Sequence, residues 1–117
     1  MAEKRRVQGE IVLPPGVVPS EPASVLVQVE DVSRADAPSQ VVGEQRQRVP
    51  LSVGRTIHFT VEVPAEAVDD RHLYSVRVHV QVGGSEGVQK GDLISTQSYP
   101  VLTRGHGNQA RVEVKRV

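Results

Sequence analysis

The sequence predicts an all-β domain, and three observations carry that prediction. Valine dominates the apolar residues while aromatics make up only 3 %, so the core must be filled by β-branched aliphatics. Their restricted χ1 costs little on a pleated surface. Ten glycines and eight prolines punctuate the valine-rich runs, and the runs themselves alternate apolar with polar residues at a period of two. At 117 residues the chain suits one domain, residues 1–117, with a single core and a charged, flexible N-terminus over 1–6.

Each strand follows from its own pattern. "VQGEIVL" places Val7, Gly9, Ile11 and Leu13 on one face, with Gln8, Glu10 and Val12 on the other. "LPPG" ends it, because Pro15 and Gly16 suit the central positions of a type II turn. "SVLVQVEDV" turns Val25, Val27 and Val29 inward and Gln28 and Glu30 outward. In "SRADAP", Ser33 and Asp36 can bond local backbone, and Pro38 needs a place without a ladder donor, so the next strand begins as an edge. Residues 39–49 are polar on both faces after Val42, which reads as an edge strand blunted by Arg46 and Arg48 and stopped by Pro50.

"RTIHFTVEV" alternates cleanly, with Ile57, Phe59, Val61 and Val63 inward and His58, Thr60 and Glu62 outward. "PAEAVDD" supplies one helical turn with Pro64 at its first position. The strongest strand follows, with Tyr74, Val76, Val78, Val80 and Val82 inward and Ser75, Arg77, His79 and Gln81 outward. "GGSEGVQKG" is a hairpin tip, "DLISTQSY" returns, "PVLTRGHGN" is a loop, and "QARVEVKRV" closes the chain with Val112 and Val114 inward. About seven or eight such strands match a single immunoglobulin-like or transthyretin-like β-sandwich.

Composition narrows the function. Fourteen basic and fourteen acidic residues cancel, and stacking rings are scarce, which argues against nucleic acid. No run of about 18 apolar residues exists, so no direct membrane span is expected. "MAEKRRVQGE" does not read as a secretory signal. With no cysteine there is no disulfide, thiol nucleophile, thiolate metal site or lipid-bearing thiol. Nucleophile-elbow, phosphate-loop and H-E-x-x-H motifs are missing, so no catalytic residue, metal or cofactor is assigned. His58 and His79 face outward by parity and could clip a metal if their strands were neighbours, but spacing offers no third ligand. His106, in "RGHGN", reads as a solvated ring, and the basic ends "KRR" and "KR" as solvated ends.

"DDRHLYSVRVHV", residues 69–80, admits two readings. Acids, an arginine and a histidine side by side could form an acid/base centre. Alternatively the segment is a sandwich corner, in which a tyrosine before a long strand bonds upstream backbone through its hydroxyl. Tyr74 stands where such a tyrosine would, and the adjacent Asp69 and Asp70 point apart on an extended chain, whereas cooperating carboxylates must converge. The corner accounts for more of the segment. His72 shares the parity of Tyr74 and reads as a rim histidine with bonded nitrogens.

Three blocks together resemble the YbaY/YscW family of small bacterial envelope lipoproteins, which includes the type III secretion pilotin or lipoprotein chaperone. They are "VQGEIVLPPG…VLVQVEDVSRADAP", "VDDRHLYSVRVHV" and "YPVLTRG", in the family's order from about Val7 to Val114. The resemblance implies a β-sandwich without enzymatic activity or cofactor. Its partner would be an outer-membrane secretin or another envelope protein, and its place the periplasmic or surface side of the envelope. The motif positions that carry over are Asp31, Ser33, Asp36, Pro38, Asp70, Arg71, His72, Tyr74, Thr103, Arg104 and Gly105, whose turn chemistry marks them as corner-formers. The sequence lacks the family's signal and lipid-bearing cysteine, which leaves a trimmed lipoprotein and a soluble member as alternatives. The tip "VGGSEGVQKGD" is longer than the family's short hairpin.

Three functional classes follow. The first is a non-enzymatic binding or chaperone-like module with an acceptor edge at residues 39–49. The second is a structural or carbohydrate-associated sandwich using Tyr99 as its platform. The third is a small hydrolase on a transthyretin-like sheet using His58, His79 and Arg77.

Overall fold

The computed structural model describes residues 4–14, 23–33, 39–49, 56–81 and 92–116. Within these, eight strands form in chain order: β1 Lys4–Val12, β2 Ala23–Asp31, β3 Gln40–Val49, β4 Thr56–Pro64, β5 Tyr74–Gln81, β6 Leu93–Ser95, β7 Pro100–Val101 and β8 Gln109–Arg116. The fold is all-β, as the valine pattern requires. Pro15, Gly16, Asp36, Pro38, Pro50, Val82 and the glycine-rich tip lie outside the described residues.

The strands follow one another as β3-β2-β5-β6-β8-β1-β4, with β7 paired to β5 off this path. Neighbours are antiparallel except β1 and β8, which run parallel from Gln8↔Gln109 to Val12↔Glu113. β8 joins the two halves: its first residues pair with β1, and Val114 to Arg116 pair with β6. The path curls until its end strands, β3 and β4, lie side by side, so the sheet is nearly closed into a barrel-like shape.

The inward faces hold one core. Val7 and Ile11 of β1, Val25, Val27 and Val29 of β2, Phe59, Val61 and Val63 of β4, Val76, Val78 and Val80 of β5, and Val112 and Val114 of β8 are all buried. These are the residues the period of two selects. Val78→Ala opens a cavity in this core and is expected to cost about 2 kcal/mol. Gln81→Ala should cost much less, because its buried amide nitrogen finds no partner among the described residues. Chemical denaturation that ranks the two variants equally would show the strand parity to be wrong.

Four details differ from the sequence reading. β1 starts at Lys4, inside the stretch read as a flexible end, because Lys4, Arg5 and Arg6 pair with Pro64, Val63 and Glu62 of β4. The turn after β4 is a 3-10 turn, Ala65–Ala67, and Pro64 is its N-cap rather than its first position. Ser75 is buried although its parity points outward, because its hydroxyl accepts from Tyr99 N at 2.9 Å where the chain crosses the end of β5. "PVLTRGHGN" begins as the two-residue strand β7 before it turns.

Candidate functional site

The three sequence blocks meet at one corner. β2 ends at Asp31, whose Oδ1 accepts from Ser33 N at 3.0 Å and Ser33 Oγ at 2.6 Å. Its Oδ2 lies 2.7 Å from His72 Nδ1. Ser33 Oγ accepts from Leu73 N at 2.8 Å, and Val32 N donates to Leu73 O, so the first block is stitched to the second. Thr103 Oγ1 donates to His72 O, which ties in the third block.

Tyr74 is the pin of this corner. The ring is buried, and its hydroxyl accepts from Asp69 N at 2.8 Å and donates to Ala67 O at 3.1 Å. A buried hydroxyl with both partners in place is fully satisfied. Beyond it the chain passes through left-handed backbone at Leu102 (φ 75), Arg104 (φ 60) and Gly105 (φ 85). Thr103 N bonds Val101 O across Leu102, the strained γ-turn with positive φ. That conformation is held because the Leu102 side chain is buried and Leu102 N donates to Gly107 O.

The corner is electrostatically settled and does not assemble catalytic chemistry. Burial raises the Asp31 carboxyl, but hydrogen bonds from the Ser33 hydroxyl and amide and from His72 outweigh it and leave the group below its usual range. Ser33 Oγ donates to the carboxylate, not to an imidazole, so no base is aimed at it. Asp69, which is not a motif position, engages Arg71 through its amide and guanidinium and falls to about 2. Asp70 and Arg104 are exposed.

Because the folded Asp69 carboxyl titrates below its ordinary 3.8, its contribution is complete above that pH and disappears as pH falls toward 2. Asp69→Asn should therefore flatten the acid limb of the stability curve between pH 4 and 2, by lowering stability modestly above pH 4 and leaving it unchanged near pH 2. Denaturation midpoints against pH measure this, and an unchanged acid limb would remove the ion pair from the account.

The other histidines are separated. His58 lies on β4 and His79 on β5, with β6, β8 and β1 between them, so neither the metal clip nor the hydrolase constellation forms. His79 Nε2 lies instead 2.9 Å from Asp92 Oδ2, whose carboxylate is buried. No parity signal could have found that pair, since Asp92 stands just ahead of the short β6 and outside any alternating run. Among the described residues no group of three His, Cys, Asp or Glu side chains converges to hold a metal ion. Tyr99 is no open platform: its hydroxyl accepts from Glu113 N at 3.0 Å and donates to Glu113 O at 3.2 Å.

Two surface features remain. A shallow depression of about 480 Å³ crosses β4, β1 and β8, and Gly9, Glu10, His58, Ala110 and Arg111 are among the residues that line it. The second is the line where β3 meets β4. Gln47 Nε2 donates to His58 O at 3.0 Å, and Gln45 Oε1 accepts from Thr60 N at 3.1 Å. An edge strand at 39–49 was legible in the sequence; the bridging role of its glutamines was not.

The family profile described as type III secretion system lipoprotein chaperone (YscW) matches residues 2–114. The chain belongs to this family. The resemblance read from the three blocks is thereby established. Among solved structures, an alternative pilotin from the type II secretion system of Vibrio cholerae superposes with a TM-score of 0.82. It is 23 % identical, and the match covers 98 % of each chain, so the two share a fold over their whole length. No curated protein sequence matches. Within the YscW chain the blocks that signal membership are the ones that build the Tyr74 corner.

Proposed function

We propose that this YscW-family chain is a non-enzymatic, pilotin-like chaperone module of the bacterial cell envelope, a single domain that holds a protein of a secretion system such as an outer-membrane secretin. The observation that carries this reading is the ten-residue edge strand β3, paired among the described residues only with β2 and bearing Arg46 and Arg48 on its exposed face. A long edge offers backbone donors and acceptors to an incoming segment. Family membership supports the same reading, and so does the Vibrio cholerae pilotin, itself a secretion-system protein.

In this reading the sheet works as a two-layer sandwich, β4-β1-β8 against β3-β2-β5-β6, with β8 passing from one layer to the other. The motif residues Asp31, Ser33, Asp70, Arg71, His72, Tyr74, Thr103, Arg104 and Gly105 keep the corner rigid and do not contact the partner. Carbohydrate binding is disfavoured by the engaged Tyr99 hydroxyl.

The test is to delete the gene in its own host and follow the native secretin by fractionation. Secretin should leave the outer-membrane fraction on deletion and return on complementation. A secretin distribution indifferent to this chain would remove the reading. The intact mass of the native protein, taken from the same fractions, reports whether an acyl anchor is attached.

A further inference from the structure

Among the described residues the strand order leaves β3 without a ladder partner on one side and β4 without one on one side, and these two sides face each other. Gly43 meets Glu62 and Val63, Gln45 reaches Thr60, and Gln47 reaches His58. Every two residues forward on β3 correspond to two residues back on β4, so the strands run antiparallel in one register. Yet the bonds along Gln45 and Gln47 come from side chains and not from a backbone ladder.

At Gly43 the strands touch. A Cβ there would lie 2.8 Å from Glu62 O and 2.9 Å from Val63 Cγ2, so no side chain fits without displacing backbone. Two residues on, a whole glutamine side chain lies between the strands. The line is therefore closed at one end and wedged apart toward the other.

From this we infer that the β3–β4 line is an acceptor for an extended partner segment carrying acidic side chains, and that Gln45 and Gln47 are stand-ins which that segment displaces. A carboxamide presents the same donor and acceptor as a peptide group. Thr60 N and His58 O on the open side of β4 are thus already served by imitations of a neighbouring strand. A glutamine side chain loses about 1.5–2 kcal/mol of rotamer freedom when fixed, which weakens it as a competitor against a real backbone.

The charge preference comes from the other face of β3. Arg46 and Arg48 are exposed, alternate with the two glutamines, and have no ion pair among the described residues. Across the ladder on β2 they meet Leu26 and Ser24, which offer no charge. A strand on the far side of β3 would present its own alternate residues to both guanidiniums, and acids there complete cross-strand pairs.

This inference rests on the binding-module reading above, but its test is separate. The probe is a short soluble peptide alternating valine and glutamate, compared with one alternating valine and lysine. The glutamate peptide should protect the amides of β3 and of Thr60 from hydrogen exchange. Gln45→Ala and Gln47→Ala should each tighten binding about fivefold, since each removes one competing hydrogen bond. The exposed charge reversal Arg46→Glu/Arg48→Glu should abolish binding of the glutamate peptide and admit the lysine peptide. Unchanged affinity in folded glutamine variants, protection elsewhere, or indifference to the charge reversal would each overturn it. If the native secretin binds the wild type and the glutamine variants equally well, this route is wrong while the function stands. If secretin ignores the chain but the glutamate peptide enters here, the function is wrong while the acceptor stands.

Discussion

Gly9→Ala is expected to destabilise the protein by more than about 3 kcal/mol, beyond the usual range for adding a methyl to a packed site. A Cβ at Gly9 would sit 1.8 Å from Ala110 O and 2.8 Å from Ala110 C. Those atoms are backbone, so no rotamer change relieves the overlap. Gly9 is not among the positive-φ positions, so glycine is needed here for room and not for its conformational freedom. β8 crosses close against β1 at this point, and any side chain would push the parallel pair apart from Gln8 to Val12. Hydrogen exchange should place the loss in residues 109–113 before the rest of the sheet. An alanine variant with wild-type denaturation midpoint would mean that β8 does not approach β1 as described.

Tyr74→Ala is the second large effect, at about 3–5 kcal/mol, because a fully buried ring leaves a cavity and the corner loses its pin. Tyr74→Phe separates the two contributions. It keeps the ring and removes the bonds to Asp69 N and Ala67 O, leaving both backbone groups to find water, at about 1–2 kcal/mol. Since a domain of this kind is stable by about 5–15 kcal/mol, the alanine variant should lose a large share of its stability and its midpoint temperature should fall well below that of the wild type. A phenylalanine variant as stable as wild type would mean that the hydroxyl bonds contribute nothing net.

Much of the fold was legible because valine at alternate positions admits only one arrangement. Val25, Val27 and Val29, and then Val76, Val78 and Val80, can be buried together only on one face of a strand. Tyr74 was legible for a related reason, since a lone aromatic ahead of a valine run has few places to put its hydroxyl. The parallel pairing of β1 with β8 was not, because period-two patterning fixes which face a residue occupies and says nothing of which strand lies beside it. The same limit hid the Asp92–His79 pair and made His58 and His79 look like potential neighbours. Gln45 and Gln47 read as generic edge polarity because their partners are backbone atoms of β4, which have no sequence signature. "PVLTRGHGN" read as a loop, yet only the structure places a left-handed residue at the buried Leu102 ahead of the glycine.

The parallel neighbours β1 and β8 also set an order of events. During synthesis Lys4–Val12 emerges ahead of the other seven strands and Gln109–Arg116 after them, so the strand that joins the two halves is the last of the eight to arrive. Until then β1 and β4 can pair with each other, and β2, β3 and β5 among themselves, with the Gln45 and Gln47 bonds to β4 linking the two groups in place of a backbone ladder. Contacts between distant parts of a chain form slowly. The backbone ladder that joins the two half-sheets can therefore be completed only after β8 has emerged, however early the other strands pair.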